Sequence, residues 1–343
     1  MRNFKAKQIL MQGVVRETGL SLNGLVVLTE LGTADFALTP ILAQMAGAQR
    51  VIVWTRDTKF GTATEAISQF QDICNKLELN DFFEIREMER PEQDIRDANL
   101  ITNLAMLRPL DAEFLSHVDP KNTVVSLMYD AWELREQDID VEVCRQRGIR
   151  LCGVNESDPD FPIFKFVGPL AAKMAFMAGY EIMGNDIVIW SDDDFGREIE
   201  SFFRNMGARN TVLTRDRDVL LASIPGADFL FFASYHEALP LISNGLGGID
   251  CVVSLSELQQ TETYPGVIHL YGAIDPVELI EAGFAVFPHS VGFPEQMTHT
   301  LSELGSIPLL RLMAAGLRAG QEILENGSYR FSQEIINGKI RND

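Results

Sequence analysis

The chain is poor in the residues that staple, ligate or anchor a protein. Four cysteines occur in 343 residues, Cys74, Cys144, Cys152 and Cys251, and no two form a C-x-x-C pair. That spacing speaks against a disulfide framework or a zinc site and fits reduced core thiols. Positive charge is also scarce, with 29 lysines and arginines against 49 aspartates and glutamates, a formal net charge of −20. Such a balance argues against nucleic acid or an anionic membrane as partner. No apolar run has the length of a membrane span. The opening MRNFKAKQILMQGVV lacks the long apolar stretch and small-residue cleavage site of a signal peptide, so the expected location is cytoplasmic. Asn326-Gly327-Ser328 matches a glycosylation sequon, which in such a location is a chance match.

What is present is an ordinary globular composition with room for about two domains. Short apolar runs alternate with helical patterns. Leu25–Leu28, Val51–Trp54, Phe82–Ile85, Leu100–Asn103, Val124–Met128 and Ile149–Cys152 read as buried strands, separated by helices that include Phe36–Met45, Ala63–Leu77, Ala112–His117 and Val141–Arg147. A second series follows at Ile187–Trp190, Thr211–Leu213, Phe229–Ala233, Cys251–Ser254, Val267–Leu270 and Ala285–Phe287. The alternation predicts an α/β protein with two doubly wound, Rossmann-like or flavodoxin-like parallel-sheet domains. The turn-rich Asp158-Pro159-Asp160-Phe161-Pro162 marks the boundary between them. The first domain is expected over 1–160, completed by 305–343, and the second over 161–304. Long helices beginning near Pro169 and Pro308 are the expected crossings. MAGAQRVIVWTRD (45–57) parallels MGARNTVLTRD (206–216), either through duplication or because helix–strand junctions share such residues.

Residues 187–200, IVIWSDDDFGREIE, have the strand, tight turn and helix of a dinucleotide-binding unit, with the wrong residues in the turn. Ser191 and Asp193 stand at the first two glycine places of G-x-G-x-x-G, and only the third survives, as Gly196. Carboxylates at a helix N-terminus oppose a phosphate ligand there. The Asp192–Asp194 run reads as an altered cofactor loop, as a holder of a cation, or as a solvated turn. Arg215, about nineteen residues beyond Gly196, stands where a ribose or its 2′-phosphate would be met, the competing reading being a solvated pair with Asp216.

CRQRGIRLCGVNESDPDFPIFKFVGPLAAKMAF (144–176) resembles the linker of the D-isomer-specific 2-hydroxyacid dehydrogenases, the formate and glycerate dehydrogenase-like superfamily. DFLFFASYHEA (228–238) resembles the strand beside their nicotinamide, and YGAIDPVELIEAG (271–283) resembles their "R-G-G-x-V-D-x-x-x-L" segment. FPHSVGF (287–293) resembles their "P-H-x-x-G", which carries the catalytic histidine. The resemblance implies an NAD(P)-dependent oxidoreductase that acts on a small hydroxy or keto acid between two Rossmann-like domains, as a cytoplasmic homodimer. It implies NAD or NADP as cofactor, held by Ser191, Asp193, Phe195, Gly196, Arg215 and Ser234, and no metal. Two parts of the family pattern are absent. Leu270 or Tyr271 occupies the place of its arginine, and only thirteen residues separate Asp275 from His289, too few for the segment that carries its glutamate.

His289 is the candidate acid/base, because histidine exchanges a hydroxyl proton near neutral pH. A histidine that fills space or caps a helix is the competing reading. Arg108, in Leu107-Arg108-Pro109, and Arg135, in the loop that starts at Tyr129, are candidates to clamp a substrate carboxylate. Surface pairing with Glu133 or Glu136 is their alternative. Thr55-Arg56-Asp57, with Lys59 and Gly61, is a further loop of this kind. Against the dehydrogenase stands a non-oxidoreductase enzyme, or a non-catalytic ligand-binding protein, on the same scaffold with altered or lost nicotinamide binding.

Overall fold

The computed structural model describes residues 4–58, 61–79, 82–237, 239–243, 251–325, 330–336 and 339–340. Lys59 and the sequon at 326–328 lie outside the described residues. The chain forms two compact units, Met1–Ile163 with Gly305–Asp343, and Phe164–Leu304. Both are α/β, with parallel sheets and helices between the strands.

In chain order the strands are β1 Val26–Glu30, β2 Arg50–Thr55, β3 Phe83–Glu87, β4 Leu100–Thr102, β5 Val124–Asp130, β6 Arg150–Val154, β7 Asp186–Trp190, β8 Asn210–Thr214, β9 Phe229–Ala233, β10 Pro240–Ser243, β11 Val253–Ser254, β12 Gly266–Tyr271, β13 Ala273–Ile274, β14 Val286–Phe287, β15 Ser332–Ile336 and β16 Lys339–Ile340. The first unit's sheet runs β16-β15-β6-β5-β4-β1-β2-β3, and the second unit's main sheet β14-β12-β9-β7-β8. β1 to β6 are mutually parallel, and β15 lies antiparallel on β6. Each sheet reverses its winding once, the first between β1 and β4, the second between β7 and β9. In open α/β sheets ligands bind at such a switch point, beyond the carboxyl ends of the strands.

The apolar runs form strands because helices cover both faces, and every residue of β5 is buried. The chain returns to the first unit in the helix Ser306–Glu325, which packs on β4, β5 and β6. It lies so close that a Cβ at Gly316 would stand 2.6 Å from Met128 Sδ, and Ser126 Oγ donates to the Gly316 carbonyl at 2.8 Å.

Each expected strand run falls on a strand, but Cys251–Ser254 is displaced from the main sheet. Its strand, β11, pairs with β10 in a small separate sheet, β11-β10-β13. β15, paired with β6 on one side and β16 on the other, carries no strand signal in the sequence, since it opens on the polar Ser332-Gln333-Glu334. The Glu322 carboxylate accepts the Phe331 and Ser332 N–H groups at 2.9 and 3.1 Å, and Gln333 Oε1 accepts that of Ala131 at 2.9 Å. Among the described residues no helix is long and apolar enough to cross a membrane.

Candidate functional site

In the second unit, the turn that leaves β7 is closed by its own aspartate. Asp193 caps the helix Asp194–Asn205, and Oδ1 accepts the N–H groups of Phe195 at 3.0 Å and Gly196 at 3.4 Å. Ser191 Oγ donates to the same oxygen at 2.7 Å. Oδ2 accepts the N–H of Tyr235, which follows β9, at 3.0 Å. A carboxylate therefore sits at the switch point and takes the helix-terminal N–H groups that a bound anion would use. Gly196 is needed for packing: a Cβ there would meet Ser191 Cβ at 2.4 Å and Leu213 Cδ1 at 2.8 Å. Phe195 is buried in an aromatic cluster, 4.8 Å from both Phe164 and Tyr271 by ring centroid and stacked on Tyr235.

Arg215, just past β8, lies 5.0 Å over the Trp190 ring and pairs with the buried Glu237 and, at 3.4 Å, with Asp192. Asp194 pairs with Arg197, which also donates to the Asp192 carbonyl at 2.9 Å. Two of the three adjacent carboxylates thus face arginines, and the third caps the helix. Among the described residues no group of three His, Cys, Asp or Glu side chains is placed to hold a metal ion. Ser234 is buried beside Tyr235 at the end of β9. The six residues named as cofactor ligands therefore do gather at the carboxyl ends of β7, β8 and β9, bonded largely to one another and to neighbouring carboxylates.

His289 is exposed, two residues beyond β14, at the same edge of the sheet. The buried histidine of this region is His269 on β12. Its Nε2 donates to the Pro288 carbonyl at 2.9 Å, so it holds the backbone of the P-H-x-x-G segment. Burial pushes its imidazole down to about 4, the neutral form, and Nδ1 is buried with no hydrogen-bond partner among the described residues. Gly292, the glycine of that segment, is fixed by crowding: a Cβ there would stand 2.5 Å from the Gly272 carbonyl and 2.8 Å from His269 Nδ1. Leu270 and Tyr271, which close β12, are both buried.

The first unit brings Arg108 and Arg135 together. Both ion-pair with Asp138 Oδ2, at 3.1 and 3.0 Å, and both lie over the Tyr129 ring, at 5.6 and 4.7 Å. The carboxylate they share is Asp138, a residue outside the expected pair of Glu133 and Glu136. Arg108 also donates to the Asn103 carbonyl at 2.7 Å, and Asn103 Nδ2 donates to the Tyr129 hydroxyl at 3.1 Å. Desolvation lowers the Arg108 pKa from its ordinary value, and the charge of Asp138 opposes that. Asp138 thus holds two guanidinium groups over the Tyr129 ring.

Three buried acids of the first unit are Asp130, which sequence reasoning places in the loop that starts at Tyr129, and Glu30 and Glu156, which it passes over. Glu30, the last residue of β1, is buried and accepts the Met106 N–H at 3.1 Å, across the switch point. Burial pushes its carboxyl up to about 7, against the Met106 hydrogen bond and the charge of Arg108. Burial likewise raises Asp130, at the end of β5, to about 6. Glu156 is raised well above the carboxylate range by burial and then by the charges of Glu133 and Asp130. Glu30 and Asp130 each close an apolar run, VVLTE and VVSLMYD, whereas Glu156 follows Asn155 and has no such signal.

No protein-family model matches the chain, and no curated protein matches it significantly. Solved structures do share its fold. A dipicolinate synthase subunit from Bacillus halodurans superposes with a TM-score of 0.51 at 15% identity, over 89% of this chain and 99% of that one. A dipicolinate synthase chain from Bacillus subtilis gives 0.53 at 12%, over 90% and 99%. The NAD-dependent formate dehydrogenase of Staphylococcus aureus gives 0.46 at 8%, over 93% and 99%. At these identities the likeness is one of fold, a two-domain scaffold of Rossmann-like type.

Proposed function

We propose that the protein binds a small carboxylic acid in its first unit, on a dehydrogenase-type scaffold whose second unit no longer takes a nicotinamide dinucleotide. The observation that carries this reading is Asp193, whose carboxylate occupies the N–H groups that a pyrophosphate needs. Arg215 adds support, because Asp192 and Glu237 already neutralise it. Arg108 and Arg135 are the carboxylate ligands in this reading, with one Asp138 between them and the Tyr129 ring beneath. Two of the similar folds belong to dipicolinate synthases, and dipicolinate is itself a dicarboxylic acid, in keeping with an acidic ligand. Calorimetry with NAD and NADH is the test, alongside thermal shift with a panel of 2-oxo acids and dicarboxylates. The expected result is no saturable heat from NAD or NADH at millimolar levels, and a raised melting temperature with an acid that Arg108→Gln abolishes. Micromolar NAD(H) binding overturns it.

The second reading keeps an NAD(P)-dependent oxidoreductase of a hydroxy or keto acid, with His289 as acid/base and Ser191, Asp193, Phe195, Gly196, Arg215 and Ser234 around the cofactor. The exposure of His289 at the carboxyl edge of the sheet favours it, since a proton-transfer group needs access to its substrate. It requires Asp193 to leave its N–H partners when the dinucleotide arrives. Turnover that depends on nicotinamide and is lost in His289→Ala selects this reading over the first.

A further inference from the structure

Arg56 and Arg90 meet on one acceptor. Arg56 follows β2, and its Nη2 donates to the Arg108 carbonyl at 3.0 Å and the Ala105 carbonyl at 3.1 Å. Arg90 follows β3, and its Nη2 donates to the same Arg108 carbonyl at 3.0 Å and to that of Met106 at 2.8 Å. Two guanidinium nitrogens within reach of one oxygen bring like charges together, which is costly without an anion. Among the described residues neither arginine is ion-paired to a carboxylate.

The acids nearby are engaged elsewhere. Asp57 accepts the Ala63 N–H at 2.9 Å, Asp111 accepts that of Phe114 at 2.9 Å, and Asp138 holds Arg108 and Arg135. Glu30 is buried beneath the Met106 N–H. Desolvation and then the charge of Arg56 push Arg90 below its ordinary value, with Asp111 opposing.

The second unit supplies the contrast. Arg215 stands at the corresponding place, in the same Thr-Arg-Asp sequence after the second strand, and there Asp192 and Glu237 neutralise it. Only the first unit leaves this arginine beside another cation, in a chain of net charge −20. In the sheet order β4-β1-β2-β3, side chains from the ends of β2 and β3 that reach the loop after β4 pass over the end of β1. They straddle the switch point.

We propose that Arg56 and Arg90 form a phosphate-binding pair that takes the phosphoryl dianion of a small phosphorylated metabolite or nucleotide at the carboxyl edge of the first unit. A tetrahedral dianion offers oxygens to both guanidinium forks at once. In dinucleotide folds an arginine near the end of the second strand is also the residue that accommodates a ribose phosphate. The pair is distinct from Arg108 and Arg135 as acid ligands and stands or falls separately from that reading.

The test is calorimetry of the full chain with inorganic pyrophosphate, ADP and, as a carboxylate control, malonate. Saturable binding of pyrophosphate or ADP is expected, weakened about tenfold or more in Arg56→Gln and in Arg90→Gln and unchanged in Arg145→Gln, an exposed arginine paired with Glu142. Tighter binding of ADP than of pyrophosphate assigns a nucleotide source, and the reverse order a simpler phosphate ester. Absence of saturable binding at millimolar levels overturns the proposal. So does equal affinity in the variants, or malonate binding more tightly than either phosphate compound. Should a glutamine variant melt early, Arg56→Lys and Arg90→Lys decide, since they keep the charge; lysine variants that bind no better than the glutamine variants overturn the proposal.

Discussion

Asp193 Oδ2 accepts the backbone N–H of Tyr235 at 3.0 Å, tying the turn after β7 to the turn after β9. Glu30 does the same in the first unit, accepting the Met106 N–H at 3.1 Å from across β1 and β4. In both sheets a carboxylate from the first strand or its turn bridges the point where the winding reverses. The two differ in setting: Asp193 caps a helix, whereas Glu30 is buried at a strand end with its carboxyl pushed up to about 7.

Removal of the Asp193 carboxylate costs stability and opens the anion position. Asp193→Ala loses the cap and the Tyr235 bridge, and is expected to lower stability by about 1–2 kcal/mol in urea unfolding. The Ser191→Gly/Asp193→Gly double variant restores the two missing glycines and frees the N–H groups of Phe195 and Gly196. It is expected to gain ADP or NAD affinity over the parent chain by calorimetry. No gain would show that the carboxylate is not what limits dinucleotide binding at this turn.

Glu30 makes stability fall as pH rises. Its folded pKa of about 7 lies above the ordinary value of 4.5, so the folded state holds its proton over that window while the unfolded chain releases it. Folding is thus penalised progressively from about pH 4.5 to 7, and fully above. Glu30→Gln keeps an acceptor for the Met106 N–H and removes the ionisation. It is expected to stabilise the protein by up to about 3 kcal/mol at pH 8 and not at pH 4. His269 acts in the opposite sense, since its folded value of about 4 lies below 6.5 and stability falls as pH drops between them. Urea midpoints of the parent and Glu30→Gln across pH 4–8 isolate the glutamate, and parallel curves refute its part.

The fold was legible because its strands are buried on both faces. Runs such as VVSLMYD and FLFFA have no other use in an α/β chain, and the repeated Arg-Asp after the second strand marked corresponding places in the two units. β15, which lies between β6 and β16, was not legible, because it opens on the polar Ser332, Gln333 and Glu334, and Gln333 is spent on the Ala131 N–H. In the site, the turn between β7 and its helix was found as a position, but its hydrogen bonding was not. Sequence shows that Asp193 replaces a glycine; that its carboxylate reaches the Tyr235 N–H depends on two strands being neighbours. For the same reason the shared acceptor of Arg56 and Arg90 has no sequence signal, since it is formed by loops after three different strands.

Arg215 and Glu237 test whether the second unit's arginine serves structure. Glu237 is buried and Arg215 is about one-third exposed. Removal of the arginine strands an acid away from water, while neutralising the acid leaves an arginine that can still reach Asp192 and solvent. Arg215→Ala is therefore expected to destabilise by about 2 kcal/mol and Glu237→Gln by less than half of that, read from urea midpoints. The reverse order would place the arginine in a binding role that tolerates loss of its partner.

Gly196 and Ser191 form a steric pair whose cost can be split by a double-mutant cycle. A Cβ on residue 196 would stand 2.4 Å from Ser191 Cβ, 2.6 Å from its Oγ and 2.8 Å from Leu213 Cδ1. Gly196→Ala is expected to destabilise by about 2–3 kcal/mol, because the helix Asp194–Asn205 must move off β7 and β8. Ser191→Gly removes two of the three clashing atoms and leaves the contact with Leu213. In the Ser191→Gly background the same alanine is expected to cost about 1 kcal/mol less. Additive effects of the two substitutions would mean that helix and strand yield freely here, and that this glycine was not retained for close packing.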